Sequence, residues 1–339
     1  MKAIIFDRSR GATLKEVPVP QIGDGEVLVQ VHACGLCGSD LLKLDHPPAA
    51  GTVILGHEIS GALAAIGRGV EGFAVGDRVA AAHHVPCGTC HYCERGSVSM
   101  CQEFKSTNVD PGGFAEFVRL SAAHVRDALI KLPPQVDPIS ACLMEPLACC
   151  LRNLRRMGVR AGDSVGVVGL GSIGLMTCQA LVHRGAVPVG LETDQRRLRK
   201  ARDLGIAAAA PADFSEAAKT ASLGRGLDSV IVTAGPAENA ARALGWLRDG
   251  GTLSLFSGYP KDAPAPIDLD RVYHRELTIL STYSSSPQDL KSAVELLAAG
   301  AIKAAALAAP PFELERFDEA VRSVRKREIL KAVLAPKPR

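Results

Sequence analysis

Several absences narrow what this 339-residue sequence can be. No stretch of about 18 residues is apolar throughout, so no segment reads as a membrane-spanning helix. The net charge of +3 is too small, and too evenly spread, to argue for nucleic acid or a membrane surface as partner. No unit recurs at the roughly 20–50-residue spacing of solenoids or propellers. The opening Met1-Lys-Ala-Ile-Ile-Phe6 reads directly as a strand, without the charged, apolar and cleavage regions of a secretory signal, which makes a cytoplasmic location the expectation. Aromatics are scarce at 4%, while Ala and Gly are abundant. A chain of this length is expected to form two domains. Its ten cysteines cluster, and in a cytosolic protein clusters point to metal before disulfides.

What is present centres on Asp163-Ser-Val-Gly-Val-Val-Gly-Leu-Gly-Ser-Ile-Gly174. An apolar run (Val165, Val167, Val168) leads into Gly169-x-Gly171-x-x-Gly174, and a helix is predicted from Ser172 to about Arg184. In this order the first glycine makes the strand-to-helix turn, the second lets a pyrophosphate approach the backbone, and the third packs helix on strand. Free amides at the helix start, among them those of Ser172 and Ile173, then suit phosphate. Glu192 ends the next apolar strand, Ala186–Glu192, about 20 residues on, where an acid binds the ribose hydroxyls. Arg196 and Arg197 offer a clamp for the extra phosphate of NADP. A carboxylate facing that phosphate repels it, so NAD is expected, with NADP as the alternative.

The N-terminal part reads as short strands broken by turns, with Ala3–Phe6 and Glu26–His32 apolar or alternating. Small strands with Gly turns suggest a compact β-barrel-like domain. Cys87-x2-Cys90-x2-Cys93-x7-Cys101 then supplies four thiolates on one short loop, which suits a closed, tetrahedral structural zinc. An iron–sulfur cluster is the rival, but its bacterial pattern has a last gap of three and a following proline; here the gap is seven and Gln102 follows. Phe114–Val118 resumes strand character, and Met144-Glu145-Pro146 opens a helix with proline in its first turn. Strands and helices alternate from about 150 to 285, with strand ends near Glu192, Ala210, Thr233, Phe256 and Tyr283. That pattern predicts a doubly wound parallel sheet with ligand at its carboxyl ends. A helix from about Asp289 to Ala299 and a last strand, Lys331–Leu334, are expected to return to the first domain. Cys34, Cys142, Cys149, Cys150 and Cys178 lie in apolar surroundings and read as small core residues.

Taken together, Cys37-Gly-Ser-Asp40, Gly56-His57-Glu58, the four-cysteine lobe, Glu145-Pro146 and the glycine motif resemble the zinc-dependent medium-chain dehydrogenases, and most closely the sorbitol (polyol) and threonine dehydrogenase branch. The resemblance covers the whole chain. It implies an α/β protein with a GroES-like β-rich catalytic domain (1–150 and 288–339, structural zinc lobe 84–104) and a Rossmann domain for NAD (151–287). It implies two zincs per chain. The catalytic one would be held by Cys37, His57 and either Glu58 or Glu145, and the lobe zinc by Cys87, Cys90, Cys93 and Cys101. One thiolate, one imidazole and one carboxylate leave a position open for an alcohol, whose pKa the metal lowers so that hydride can leave. Ser39 would pass the hydroxyl proton onward, and Asp40 would orient His57. Gly169, Gly171, Ser172, Ile173, Gly174, Glu192, Arg197, Thr233, Phe256 and Tyr283 would meet the coenzyme. Phe104, Asn108, Tyr283 and Ser284 are substrate-lining candidates by family position.

One departure stands out. Where the family often has a histidine ending the proton relay, this chain has Leu42, so the relay must run otherwise, with Lys43 and His46 as candidates. The expected activity is oxidation of a secondary alcohol (polyol, sugar or amino-polyol) to its ketone with NAD. The alternatives are an NADPH-dependent ketone reductase and a non-catalytic dinucleotide-binding protein. The partners implied are a small-molecule substrate and further copies of this chain, as dimer or tetramer, with neither nucleic acid nor membrane.

Overall fold

Ala3–Phe6 lies inside the first strand, β1 (Lys2–Asp7), which pairs antiparallel with β2 (Gly11–Glu16). The computed structural model describes residues 1–47, 53–259 and 264–337. The chain divides into two units, Met1–Ala148 with Ser285–Arg339, and Cys149–Ser284.

The first unit is built on β3 (Val27–Gly35), whose alternating Val27, Val29 and Val31 face a core shared with Ile59, Leu63, Val79, Phe114, Val118 and Leu120. β3 pairs antiparallel with β4 (Glu58–Ile66), and β4 with β5 (Arg78–Ala81). β6 (Phe117–Leu120) flanks β3, and β7 (Leu129–Lys131) closes on β5. The β3–β4 register slips between Leu28 and Val29 and again between Val31 and Ala33. Such bulges bend and twist a sheet, which lets a short-stranded one curl. β3 also runs to Gly35, beyond the expected His32, and so delivers the chain directly into the Cys37 turn.

In the second unit six parallel strands form one sheet: β8 (Ser164–Val168), β9 (Val187–Leu191), β10 (Ala207–Ala209), β11 (Leu227–Val232), β12 (Leu247–Leu255) and β13 (Thr278–Ser281). Their spatial order is β10-β9-β8-β11-β12-β13. This is the doubly wound order 3-2-1-4-5-6, which reverses direction beside β8, where dinucleotides bind. Every residue of β8 is buried, as a central parallel strand covered on both faces requires. Helix Ser172–His183 leaves its carboxyl end. Helix Met144–Arg156 carries the chain from the first unit into the second. After helix Pro287–Ala298, β14 (Val333–Leu334) pairs with the end of β3 and completes the first unit's sheet.

Candidate active site

Helix Gly38–Asp45 follows the Cys37 turn, with Cys37 as its N-cap. Its third residue, Asp40, is fully buried. Asp40 Oδ2 accepts from the Cys37 amide and Oδ1 from the Gly56 amide, both at 3.1 Å. One carboxylate thereby ties the Cys37 turn to the segment carrying His57. Asp40 Oδ1 also lies 3.4 Å from His57 Nδ1. Burial works to lower the His57 pKa, but Asp40 and Cys37 outweigh it and hold the ring well above the usual imidazole range. On the far side of the ring, Ser39 Oγ is 3.4 Å from Nε2.

Cys37, His57 and Glu58 each place a donor atom within 4.8 Å of the others. Glu145, buried in the first turn of helix Met144–Arg156, is not part of that cluster among the described residues. Glu58 is itself fully buried. Its carboxylate pairs with Lys331, which is also buried. The sequence reads Lys331 as the start of the last strand; in the structure that strand begins at Val333, and Lys331 lies just before it. A lysine in an apolar run was the available signal, because lysine is almost never fully buried unless paired. Also missed was His83, whose ring centroid lies 4.4 Å from that of His57 and 3.8 Å from that of His84. Burial first, and His57 second, push His83 well below the ordinary imidazole range. His84 falls to about 4, chiefly through burial. His84 Nδ1 donates to the Thr107 carbonyl at 2.6 Å, which leaves Nε2 as an acceptor.

Leu42, where the family often has a histidine, is exposed; of the relay candidates, Lys43 Nζ donates to the Ile54 carbonyl at 2.8 Å, and His46 is exposed at the end of its helix. Phe104 is buried against His84, with ring centroids 5.0 Å apart. Asn108 and Tyr283 are exposed.

In the cysteine lobe the Sγ atoms of Cys87 and Cys93 are 3.9 Å apart, Cys90 and Cys93 3.6 Å, and Cys87 and Cys101 3.6 Å. A tetrahedron with Zn–S bonds of about 2.3 Å has edges of about 3.8 Å. The four thiols are therefore already spaced for one zinc ion.

At the coenzyme end, Gly169 has φ +93°, a conformation that side chains rarely adopt. A Cβ on Gly174 would run into the Gly169 carbonyl, whereas among the described residues one on Gly171 would meet nothing nearer than Arg197 Nη1 at 3.7 Å. The outer glycines serve the turn and the packing, and the middle one leaves room above the loop. Glu192 is buried: Oε2 accepts from the Leu170 amide at 2.9 Å, and Oε1 from the Thr193 and Asp194 amides at 2.7 and 3.0 Å and the Thr193 hydroxyl at 3.2 Å. Oε2 is the oxygen with capacity left. Arg197, whose amide is capped by Asp194, reaches to 3.7 Å of that atom. Thr233 Oγ1 donates to the Val168 and Gly169 carbonyls, each at 2.9 Å, and so secures the turn itself. Phe256 is half-buried just past β12. Arg152, fully buried, donates to the carbonyls of Tyr283 and Ser284.

Residues 23–134 match the alcohol dehydrogenase GroES-like domain, and residues 172–299 match the zinc-binding dehydrogenase domain. A sorbitol dehydrogenase of Halalkalibacterium halodurans is 33% identical, with 95% of each chain covered. A D-altritol 5-dehydrogenase of Agrobacterium fabrum is 34% identical over 84% of each. Among solved structures, a zinc-binding dehydrogenase from Sinorhizobium meliloti bound to NADP superposes with a TM-score of 0.89 at 28% identity, covering 99% of both chains. The chain belongs to the zinc-dependent medium-chain dehydrogenases, in the sorbitol and threonine dehydrogenase branch, and joins a GroES-like domain to a Rossmann sheet. It is an oxidoreductase of CH–OH donors that uses zinc and a nicotinamide coenzyme.

Proposed function

We propose that the chain oxidises a secondary alcohol of a polyol, sugar or amino-polyol to the ketone, with NAD as preferred coenzyme. The observation that carries this reading is the convergence of Cys37, His57 and Glu58 on one point, with Asp40 bracing the first two. A thiolate, an imidazole and a carboxylate with a position to spare fit a catalytic zinc, and Cys87, Cys90, Cys93 and Cys101 fit a second, structural one. Bound at the first site, zinc would polarise the alcohol oxygen and lower its pKa. Asp40 holds the imidazole in the orientation that presents Nε2, and Ser39, beside that nitrogen, is placed to take the hydroxyl proton. Because Leu42 has no group to carry a proton, the proton then leaves by another route than a histidine at that position. The Gly169–Gly174 turn receives the pyrophosphate, and Glu192 Oε2 accepts from the adenosine ribose.

NADP is the second reading, since Arg197 lies beside both Gly171 and Glu192. The relatives act on sorbitol and D-altritol by name, which supports a polyol substrate. We place the enzyme in the cytoplasm, where thiolate ligands stay reduced, and expect a dimer or tetramer. A panel of polyols, sugars and amino alcohols, assayed with both coenzymes, tests the reading. Turnover of none of them by zinc-replete protein counts against it.

A further inference from the structure

Lys331 is fixed from several sides. Its carbonyl accepts from the Ala309 amide at 2.9 Å, and the next residue's carbonyl accepts from the Leu36 amide at 3.0 Å. Beyond it, β14 pairs Val333 with Gly35. The residue is 4% exposed, and its side chain ends on Glu58, which is 0% exposed. Gly35 makes space for the pair, because a Cβ there would collide with Glu58 Oε2 and Lys331 Cε.

A buried ion pair is weak evidence for a stabilising role, since apolar residues of similar volume often do as well. What distinguishes this pair is its carboxylate, one of the three donors that converge at the Cys37 site. A carboxylate shared with a buried ammonium gives less of its charge to a metal. We propose that Lys331 is a positioning residue that shares Glu58 with the catalytic metal, keeping Glu58 a weak and displaceable ligand. The place it vacates then serves the substrate alcohol or water. This inference rests on Cys37, His57 and Glu58 being the catalytic zinc site.

The proposal fixes a sign. Removing the ammonium leaves two anionic donors without a counter-charge, so zinc binds more tightly, whereas a merely structural lysine would on removal loosen the site and weaken binding. Lys331→Met and the milder Lys331→Gln, purified zinc-replete, are compared with wild type by chelator competition, with the lobe zinc as internal reference. The non-lobe zinc should bind about tenfold tighter or more in both variants, and Lys331→Arg should restore the wild-type value. Stripped of that zinc, Lys331→Met should melt below stripped wild type, and the gap should close when zinc is returned. Equal or weaker zinc affinity in the folded variants overturns the proposal, as does failure of both to fold in zinc-replete medium. A wild-type protein that holds only the lobe zinc would instead remove the underlying assignment.

Discussion

Four protein donors hold the Glu192 carboxylate, and three of them come from the turn that follows β9. Those donors refine the coenzyme prediction. Only Oε2 has capacity for a ribose hydroxyl, yet the whole carboxylate charge still opposes a 2′-phosphate. The Coulomb penalty and the lost charge-assisted hydrogen bond together cost NADP on the order of 2–3 kcal/mol. That corresponds to roughly a 30- to 150-fold preference for NAD. Glu192→Gln keeps the side chain's size and removes its charge. Its NADP-to-NAD ratio of kcat/KM should rise at least about tenfold, with Arg197 free to meet the phosphate. A wild type that already prefers NADP would show that the arginines decide the site.

Elements carry two further predictions. The lobe has little apolar surface of its own, since neither short helix in the metal loop, His91–Glu94 nor Gln102–Ser106, buries more than one side chain. Its order must come from the metal. Wild type should contain two zinc ions per chain and Cys90→Ser one, with a loss of stability on the order of several kcal/mol, as zinc loading and thermal unfolding would show. In the parallel sheet, Asp228 ties the start of β11 to Ser164 of β8 through the amide at 2.8 Å and the hydroxyl at 2.9 Å, and to Arg248 of β12 at 2.7 Å. Burial works to raise its pKa, but Arg248 and Ser164 prevail and lower it. A carboxyl lowered in the folded state stabilises above its unfolded pKa of about 3.9 and loses that contribution as pH falls through the folded value. Asp228→Asn should cost about 1–3 kcal/mol at pH 7. In urea titrations the gap to wild type should narrow below about pH 4.

For the molecule as a whole, β13 lies at the edge of the parallel sheet. Among the described residues it pairs with β12 alone and ends the sheet, with Ile279 and Leu280 half-buried and the Ser281 carbonyl accepting from Arg156 at 2.9 Å. An uncovered edge strand is a template for pairing with another chain. Sedimentation at micromolar concentration should show a dimer or tetramer, and Leu280→Pro should shift it toward monomer. A wild-type monomer would leave β13 without a pairing role.

The sequence by itself determined whatever depends on local order. The glycine turn, the alternation of strands and helices after residue 150, and the four-cysteine loop each lie within a short run whose spacing carries its own geometry. The close approach of Gly174 to the Gly169 carbonyl, which leaves no room for a Cβ, and the Sγ separations follow from such runs. Tertiary structure decided what depends on partners distant in the chain. The choice between Glu58 and Glu145 was open in the sequence; folding brings Glu58 to Cys37 and His57 through the pairing of β3 with β4. Only the return of the C-terminal strand to β3 sets Lys331 against Glu58, across nearly the whole chain. A lone charge in an apolar run signals that a partner exists, but its identity is fixed by which distant strand the run returns to, here β3.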